Sequence, residues 1–315
     1  MASFGRRDHQ FVRLASRRPF AQNHNQTNTK PLTKISKIPV SLIIPCRNEE
    51  ENLGRCLASV RWIDEVFVVD SNSTDGTKEI ALEFGAEIVQ FDYSGGWPKK
   101  KNWALENLPF SHEWVLILDA DECLPPEAEA EISKIVCDST PEHAGYWINR
   151  RYFFLGKALK HAYFPNWNLR LFRHKLGRYE KITALNTNSG DNEVHEHVVV
   201  EGSTGKLGTI MDHHAFPTIE SFVEKHNRYS NWEAIVESSS KDEENYLQHS
   251  EVKGKRRLRR LFRKLPFRPS LRFLYVYLWQ GGILDGWEGY VFARLHAQYE
   301  FLSQAKAKTI LRSGK

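Results

Sequence analysis

Apolar runs and amphipathic helical patterns alternate along the first half of the chain. The run Trp114–Leu118 is entirely apolar, which is typical of a strand buried on both faces of a sheet. Three earlier strand candidates are each followed by a helical pattern. The predicted strands are Val40–Pro45, Glu65–Val69, Ala86–Phe91 and Trp114–Leu118, and the predicted helices are Glu50–Val60, Thr77–Phe84, Lys99–Asn107 and Glu127–Val136. Strand–helix alternation of this kind predicts a parallel α/β sheet with right-handed crossovers.

The pattern changes from about Gly145. Three strand candidates follow one another there without helices between them, and a helix, a polar linker and an aromatic-rich helical region come after them. The predicted strands are Tyr146–Phe154, Leu169–Phe172 and His197–Val200, the helix is Ile219–Val236, the linker is Lys241–Ser250, and the helical region is Leu271–Tyr299, broken at Gly281-Gly282. The second half therefore predicts an addition to the parallel α/β layer rather than a repeat of it.

Charge is distributed unevenly along the chain. Its 315 residues are 41% hydrophobic and carry a net charge of +5, which suffices for one large or two modest domains with a real core. Residues 1–38 hold eight Lys/Arg and a single acid, Asp8. This composition predicts a disordered basic tail, with an organelle transit peptide as the alternative.

Cysteine usage and hydropathy indicate the compartment. The four cysteines form no Cys-x-x-Cys pair, which favours reduced thiols. No apolar run approaches the ~18 residues that a membrane span needs, and the N-terminus lacks the apolar core of a secretory signal. We therefore expect a cytoplasmic protein.

Acidic residues follow three of the predicted strands. Glu49 comes after the first strand, Asp70 ends the second, and Asp119 and Asp121 follow the run Trp114–Leu118. Ligands of an open parallel sheet bind beyond the carboxyl ends of its strands, so we expect these carboxylates at one edge. Mg²⁺ and Mn²⁺ favour such oxygen ligands, together with phosphate oxygens and water. For the Asp-x-Asp pair, a solvated turn that ends a strand is the alternative.

Four motifs together resemble the inverting family-two glycosyltransferases. They are Ile44-Pro45-Cys46-Arg47-Asn48-Glu49, Val69-Asp70-Ser71-Asn72-Ser73-Thr74-Asp75, Lys101-Asn102-Trp103-Ala104-Leu105 and Leu118-Asp119-Ala120-Asp121-Glu122. The likeness covers about residues 40–235 and is closest to the bacterial lipopolysaccharide-core β-glucosyltransferase branch, which has a similar Asp-Ser-x-Ser-Thr-Asp turn and a later His-Glu, here His195-Glu196. The resemblance implies a Rossmann-like GT-A fold that binds a nucleotide-sugar.

The resemblance also implies roles for individual residues. Nucleotide-sugar binding is implied for Pro45, Glu49, Asp70, Lys101 and Asp119. A divalent metal ion, Mn²⁺ or Mg²⁺, is implied at Asp121. An inverting transfer needs a general base on the acceptor face, and Glu196 is the candidate. Here the sequence departs from the family, because His195-Glu196 stands where the family usually has a Glu-Asp pair.

Simpler explanations exist for several of these side chains. Asp75 could act only as a helix N-cap, and Lys99–Lys101 could form a solvated charge run. Glu196 could be an exposed residue at the end of a strand. His213 or His214 could add a metal ligand or could be purely structural.

A basic segment precedes the aromatic residues of the C-terminal region. Residues 253–268 hold nine Lys/Arg and no acid, and the aromatic residues that follow are Phe273, Tyr275, Tyr277 and Trp279. This combination fits an anionic membrane surface, with Leu271, Leu274 and Leu278 as an apolar stripe within residues 253–299. The same combination also fits a nucleic-acid-binding surface, or a solvated helix face together with a small core helix.

The sequence thus predicts an α/β enzyme of three parts. They are a basic tail (residues 1–38), a GT-A domain (39–240, with a nucleotide-sugar half at 39–140 and an acceptor half at 141–240), and a linker with a helical extension (241–315). The predicted reaction is metal-dependent transfer of a sugar from a nucleotide-sugar, expected to be UDP-linked, to a glycan or glycolipid acceptor, as in lipopolysaccharide or cell-envelope polysaccharide synthesis. The partners expected are this donor, the acceptor and an anionic membrane surface, at the inner membrane.

Two other functions are weighed against this one. A nucleotidyltransferase would share the sheet and the metal, but it would want a Gly-rich basic loop after the first strand. The loop present, Cys46–Glu51, is acidic and lacks glycine. A nucleic-acid-binding protein would act through the basic segments and bind any duplex with steep salt dependence. We expect no nucleic-acid partner.

Overall fold

The sheet begins with four parallel strands in the first half of the chain. The computed structural model describes residues 37–95, 97–180, 197–238, 265 and 267–313. Within them, the strands β1 to β4 lie in the order β3-β2-β1-β4 and are parallel throughout. The strands are β1 Ile38–Cys46, β2 Ile63–Asp70, β3 Glu87–Gln90 and β4 Trp114–Ile117, and the helices between and after them are α1 Glu50–Ser59, α2 Thr77–Glu83, α3 Lys100–Asn107 and α4 Glu127–Val136. The predicted strand–helix alternation is confirmed, with boundaries shifted by two residues at most.

Helices cover both faces of this parallel layer. Along β1, Leu42 and Ile44 belong to one apolar cluster, whereas Ile43 belongs to another. The first cluster includes Leu53 of α1, and the second includes Leu105 of α3. Because successive side chains of a strand point to opposite faces, this segregation explains why the central strands are continuous apolar runs.

The second half continues the sheet with reversed strand directions. Beyond β4 the order is β8-β6-β11-β5, with antiparallel pairing at β4/β8, β8/β6 and β11/β5 and parallel pairing at β6/β11. The added strands are β5 Glu122–Cys123, β6 Gly145–Phe154, β7 Lys157–Ala158, β8 Trp167–Arg173, β9 Gly177–Tyr179, β10 Val198–Val200 and β11 Thr204–Phe216. The predicted α/β class is confirmed, but the predicted parallel pairing holds throughout only in the first half of the chain. β11, the longest strand among the described residues, was not predicted from the sequence.

Helices pack against the C-terminal ends of β6 and β11. They are α5 Ile219–Ser238, α6 Arg268–Leu274, a π-helical turn Tyr275–Trp279, a 3₁₀ turn Gly282–Asp285 and α7 Gly286–Ser313. A third apolar cluster joins Phe154 of β6, Phe216 of β11, Phe222 of α5 and Phe292 of α7. The predicted break at Gly281-Gly282 is confirmed, since the chain turns there between the π-helical and 3₁₀ segments.

The structure corrects one part of the predicted basic segment. Residues 253–264 lie outside the described residues, as does the tail up to residue 36. Arg268 is buried, and its guanidinium pairs with Glu237 at 2.6 Å and with Glu300. Arg268 therefore ties α6 to α5 and α7 instead of facing a membrane. No helix of the described chain is long and apolar enough to cross a bilayer.

Candidate active site

Hydrogen bonds from backbone N–H groups to side-chain oxygens join the loops that follow β1 and β2. The N–H of Asn48 donates to Oγ of Ser73 at 2.8 Å, and the N–H of Thr74 donates to Oδ1 of Asn48 at 2.9 Å. The N–H of Glu50 donates to Asp75, which also accepts from the N–H of Thr77. These bonds hold the two strand ends as one edge. Asp75 is not the N-cap of α2, because Gly76 holds that position, but its carboxylate accepts from the first N–H of both α1 and α2.

Asp70 lies buried at the end of β2. Its carboxylate accepts hydrogen bonds from the N–H and the hydroxyl of Ser73, and from Nε2 of Gln90 at 3.2 Å. Pro45 is buried beside it, because β1 pairs with β2 through Pro45 and Val69. Asp70 therefore stabilises the turn after β2, and direct contact with a nucleotide stays a prediction.

Asp119 follows β4 and is held between two cations. Its Oδ1 accepts from Nζ of Lys101 at 2.8 Å, and its Oδ2 accepts from Nη2 of Arg170 at 2.8 Å. Burial by itself would raise the pKa of Asp119, but Arg170 and Lys101 hold it well below its ordinary value. About a third of the Asp119 side chain remains exposed (31%). Asp119 is thus an ionised hydrogen-bond acceptor that a ligand can still contact.

Glu122 is a buried carboxylate that shares Arg170 with Asp119. Its side chain is fully buried and accepts from Arg170 and from Nη1 of Arg150, the latter at 3.1 Å. Its Oε2 accepts from the N–H of Asp119 at 2.9 Å. Arg170 of β8 therefore bridges Asp119 and Glu122, and this bridge fixes the loop that carries the Asp-x-Asp pair. No role was predicted from the sequence for Arg170, Arg150 or Glu122.

Asp121 lies beside an imidazole and an ammonium group. Its Oδ1 is 3.2 Å from Nε2 of His213, and its Oδ2 is 3.4 Å from Nζ of Lys225. Burial favours the neutral acid, but His213 and Lys225 outweigh it, so the pKa of Asp121 is lowered. Its side chain is only 10% exposed, which does not fit the solvated turn that was the alternative for the Asp-x-Asp pair. Its partners come from β11 and α5, in the second half of the chain.

A short antiparallel pairing places His213 there. β5 pairs with β11 so that Glu122 lies opposite His213, and the N–H of His214 donates to the carbonyl oxygen of Asp121 at 2.8 Å. Of the two candidate histidines, His213 faces Asp121, whereas the ring of His214 stacks on Phe153 with centroids 4.4 Å apart. The geometry therefore favours His213 as a ligand alongside Asp121.

Glu49 completes the carboxylate edge. Burial raises its pKa above the ordinary value, a hydrogen bond from Asn52 opposes this, and the charge of Asp121 raises it further. Because β1 and β4 are adjacent and parallel, Glu49, Asp119 and Asp121 follow strand ends at the same edge of the sheet. Three of the predicted strand-end carboxylates, Glu49, Asp119 and Asp121, thus share one site.

Two predictions about neighbouring residues have different outcomes. The solvated run proposed as the alternative for Lys99–Lys101 is wrong, because all three residues are buried, and Nζ of Lys100 donates to the carbonyl of Cys46 at 2.7 Å. Glu196, the candidate base, lies outside the described residues together with His195, so its role stays a prediction.

Comparisons with known proteins decide the family. The model of glycosyl transferase family 2 matches residues 41–189. The lipopolysaccharide core biosynthesis glycosyltransferase LpsC of Rhizobium meliloti is 32% identical over 290 residues, which cover 86% of this chain and 93% of LpsC. This chain belongs to glycosyl transferase family 2. The predicted resemblance and the enzyme class are therefore confirmed.

Two further proteins are similar to this glycosyltransferase. An uncharacterized glycosyltransferase of Rickettsia typhi is 32% identical over 199 residues, covering 62% of this chain and 66% of the relative. The solved structure of the mannosyltransferase PcManGT from Pyrobaculum calidifontis, in complex with GDP-Man and Mn²⁺, is 14% identical, with a TM-score of 0.43 and coverage of 86% of this chain and 87% of that one.

Proposed function

We propose that this glycosyltransferase moves a sugar from a UDP-linked donor to a glycan or glycolipid acceptor, with inversion and with a divalent metal ion. The observation that carries the proposal is the pairing of Asp121 with His213 beside Glu49 and Asp119, at the carboxyl ends of parallel strands. Kinship with LpsC, a lipopolysaccharide core biosynthesis enzyme, supports an acceptor of the lipopolysaccharide core.

The donor atoms at this edge suit Mn²⁺ or Mg²⁺. Asp121 would supply a carboxylate oxygen and His213 an imidazole nitrogen, and Mn²⁺ accepts both. Within the described ranges, no group of three or more His, Cys, Asp or Glu is arranged to hold a metal ion. Asp121 and His213 would be two of the ligands, and diphosphate oxygens and water suit the remaining positions. A bound ion would neutralise charge on the departing nucleoside diphosphate.

The chain's own cations prepare the site for an anionic donor. Lys101, Arg170 and Arg150 surround the two carboxylates of Asp119 and Glu122. Lys101 and Arg170 keep Asp119 ionised, so its oxygens can accept hydrogen bonds from the ribose hydroxyls of a nucleotide.

Deprotonation of the acceptor is assigned to Glu196. An inverting displacement requires a base that removes the proton of the attacking hydroxyl on the side of the sugar opposite the leaving diphosphate. The assignment rests on the sequence motif His195-Glu196.

A donor panel tests the proposed function. The protein would be incubated with UDP-, GDP-, dTDP- and CMP-linked sugars in Mn²⁺, with lipopolysaccharide core oligosaccharide as acceptor, and nucleotide release would be measured. We expect acceptor-stimulated release from a UDP-sugar only, and inverted configuration at the new linkage by NMR. Release from a GDP-sugar alone, or retained configuration, would contradict the donor or the mechanism, respectively.

A further inference from the structure

Exposed apolar side chains are concentrated at the turn between α6 and α7. Half of the sixteen exposed large hydrophobic residues of the described chain fall within residues 274–290. We call this set the apolar tip: Leu274, Tyr275, Leu278, Trp279, Ile283, Leu284, Trp287 and Tyr290. Trp279 is 84% exposed, Leu284 69% and Trp287 67%. Single exposed hydrophobic residues are ordinary on a protein surface, but a cluster of this density marks an interaction surface.

No charged side chain is exposed among residues 274–290. Only two acids occur there, and both are engaged. Asp285 is buried and accepts from the backbone N–H groups of Lys160, His161 and Ala162 at 2.8–3.1 Å. Glu288 pairs with Nζ of Lys157 at 2.8 Å. The apolar tip can therefore leave water without stranding an unpaired carboxylate, which would be costly in an apolar medium.

Close packing holds the apolar tip in shape. A Cβ placed on Gly289 would lie 1.9 Å from the carbonyl oxygen of Gly282, so the 3₁₀ turn and α7 meet backbone to backbone. Behind them, Phe273 and Tyr277 stack at 5.2 Å, and both rings contact the edge of Tyr290. The apolar tip is thus a shaped protrusion in which Tyr290 belongs to the internal packing, whereas Trp279 and Leu284 are turned outward.

Basic groups flank the apolar tip. Lys157 and Lys160 are exposed in the segment that Asp285 and Glu288 bind. In the sequence, residues 253–264 add eight Lys/Arg and no acid just before α6. Tryptophan, tyrosine and leucine beside lysine and arginine are the composition of surfaces that lie in the interface of anionic bilayers.

We propose that the apolar tip inserts into the interfacial layer of an anionic lipid bilayer. A second copy of the chain fits less well, because self-association through this surface would bring the same cations together. Anionic headgroups instead complement the exposed Lys160, since Lys157 is already paired with Glu288, while the apolar side chains enter the acyl boundary. The tip side chains most exposed, Trp279, Leu284 and Trp287, are expected to penetrate furthest.

The inference that the apolar tip binds a membrane rests on the proposed function, transfer of a sugar to a glycan or glycolipid acceptor. β6 carries Arg150, which contacts Glu122 at the active site. The same strand ends at Phe154, shortly before the segment whose backbone donates hydrogen bonds to Asp285. The same strand thus links the active site to the apolar tip. An enzyme docked this way would meet a lipid-linked acceptor at the membrane surface.

Vesicle co-sedimentation of the full chain tests the inference. The probes are vesicles of phosphatidylcholine with and without phosphatidylglycerol, in the absence of any sugar donor. The test protein carries Leu278→Gln, Trp279→Gln and Leu284→Gln together. The matched control carries Leu82→Gln, Phe301→Gln and Leu311→Gln, three comparably exposed apolar residues outside the apolar tip. All six side chains are exposed, so both proteins should fold, and thermal unfolding checks this.

We expect the wild type and the matched control to bind anionic vesicles, with binding that weakens as salt is added. The tip variant should lose at least about tenfold in partitioning, while its hydrolysis of donor in solution stays unchanged. Equal binding by the tip variant and the wild type, or no binding by either, would overturn the inference. So would a concentration-dependent dimer that only the tip substitutions dissociate. Because vesicle binding is measured without donor, its failure leaves the proposed sugar transfer to be judged separately.

Discussion

Nε2 of His213 lies 3.2 Å from Oδ1 of Asp121. The two residues come from different halves of the chain, and the short pairing of β5 with β11 brings them together. The first half of the domain therefore depends on a strand of the second half for a group beside its Asp-x-Asp motif. This dependence makes His213 testable apart from the motif itself.

Replacing His213 should raise the enzyme's demand for metal. In His213→Asn, we expect the Mn²⁺ concentration for half-maximal transfer to rise by at least about tenfold, because one of two protein ligands is lost. His214→Asn is the matched control, since its ring stacks on Phe153 and faces away from Asp121. A titration of initial rate against Mn²⁺ measures both. Identical curves for the two variants would remove His213 from the metal site.

Arg170 should matter for stability as well as for activity. Arg170→Met leaves Asp119 and Glu122 without their shared partner, and breaking a buried ion pair in this way costs about 3–5 kcal/mol of unfolding free energy. Arg228→Met, an exposed change on α5, should cost less than about 0.5 kcal/mol. Urea denaturation compares them. Similar losses in the two variants would show that the bridge contributes little.

Glu49 should make stability depend on pH. Its pKa is raised in the folded protein from an ordinary value of 4.5, so the folded state binds more protons than the unfolded state just above that pH. Stability is therefore lost as the pH rises from about 4.5 through the folded pKa. Glu49→Gln removes this loss, and its stability relative to the wild type should increase between pH 4 and pH 7. Urea denaturation at both pH values measures it.

The control for Glu49 is Glu51→Gln, because Glu51 is exposed in the first turn of α1, the helix that Glu49 directly precedes. Its stability difference from the wild type should stay constant over this range. A Glu49→Gln protein that instead becomes relatively less stable toward pH 7 would show that the folded protein favours the ionised carboxylate.

Glu196 should affect turnover without affecting donor binding. If it is the base, Glu196→Gln lowers the rate of transfer by about 10²–10⁴. Donor affinity should be nearly unchanged, because the base and the diphosphate lie on opposite sides of the reacting carbon. Calorimetry with a nonhydrolysable UDP-sugar separates the two quantities. Lost donor affinity in the variant would place Glu196 in the donor pocket.

The carboxylate edge was predictable because it depends on local patterns and one topological rule. Apolar runs identify the strands, and the carboxyl ends of adjacent parallel strands meet at one edge. Glu49, Asp119 and Asp121 follow such strands, and the structure brings them together.

The partners of these carboxylates were not predictable in the same way. Arg170 meets Asp119 only because β8 inserts antiparallel beside β4, a pairing across 51 residues that no local pattern specifies. β11 was missed because its buried alternation includes the polar residues Thr209 and His213 among apolar ones. A hydrophobic pattern cannot reveal a strand whose buried face serves a polar site.

Mn²⁺ binding by Asp121→Asn tests the central claim most directly. Free Mn²⁺ would be measured by electron paramagnetic resonance while wild type, Asp121→Asn and the exposed control Asp138→Asn are titrated in the presence of UDP. We predict that the wild type and Asp138→Asn each remove about one Mn²⁺ per chain from solution, and that Asp121→Asn, although folded, removes none and transfers no sugar. Undiminished Mn²⁺ binding and transfer by Asp121→Asn would contradict the account.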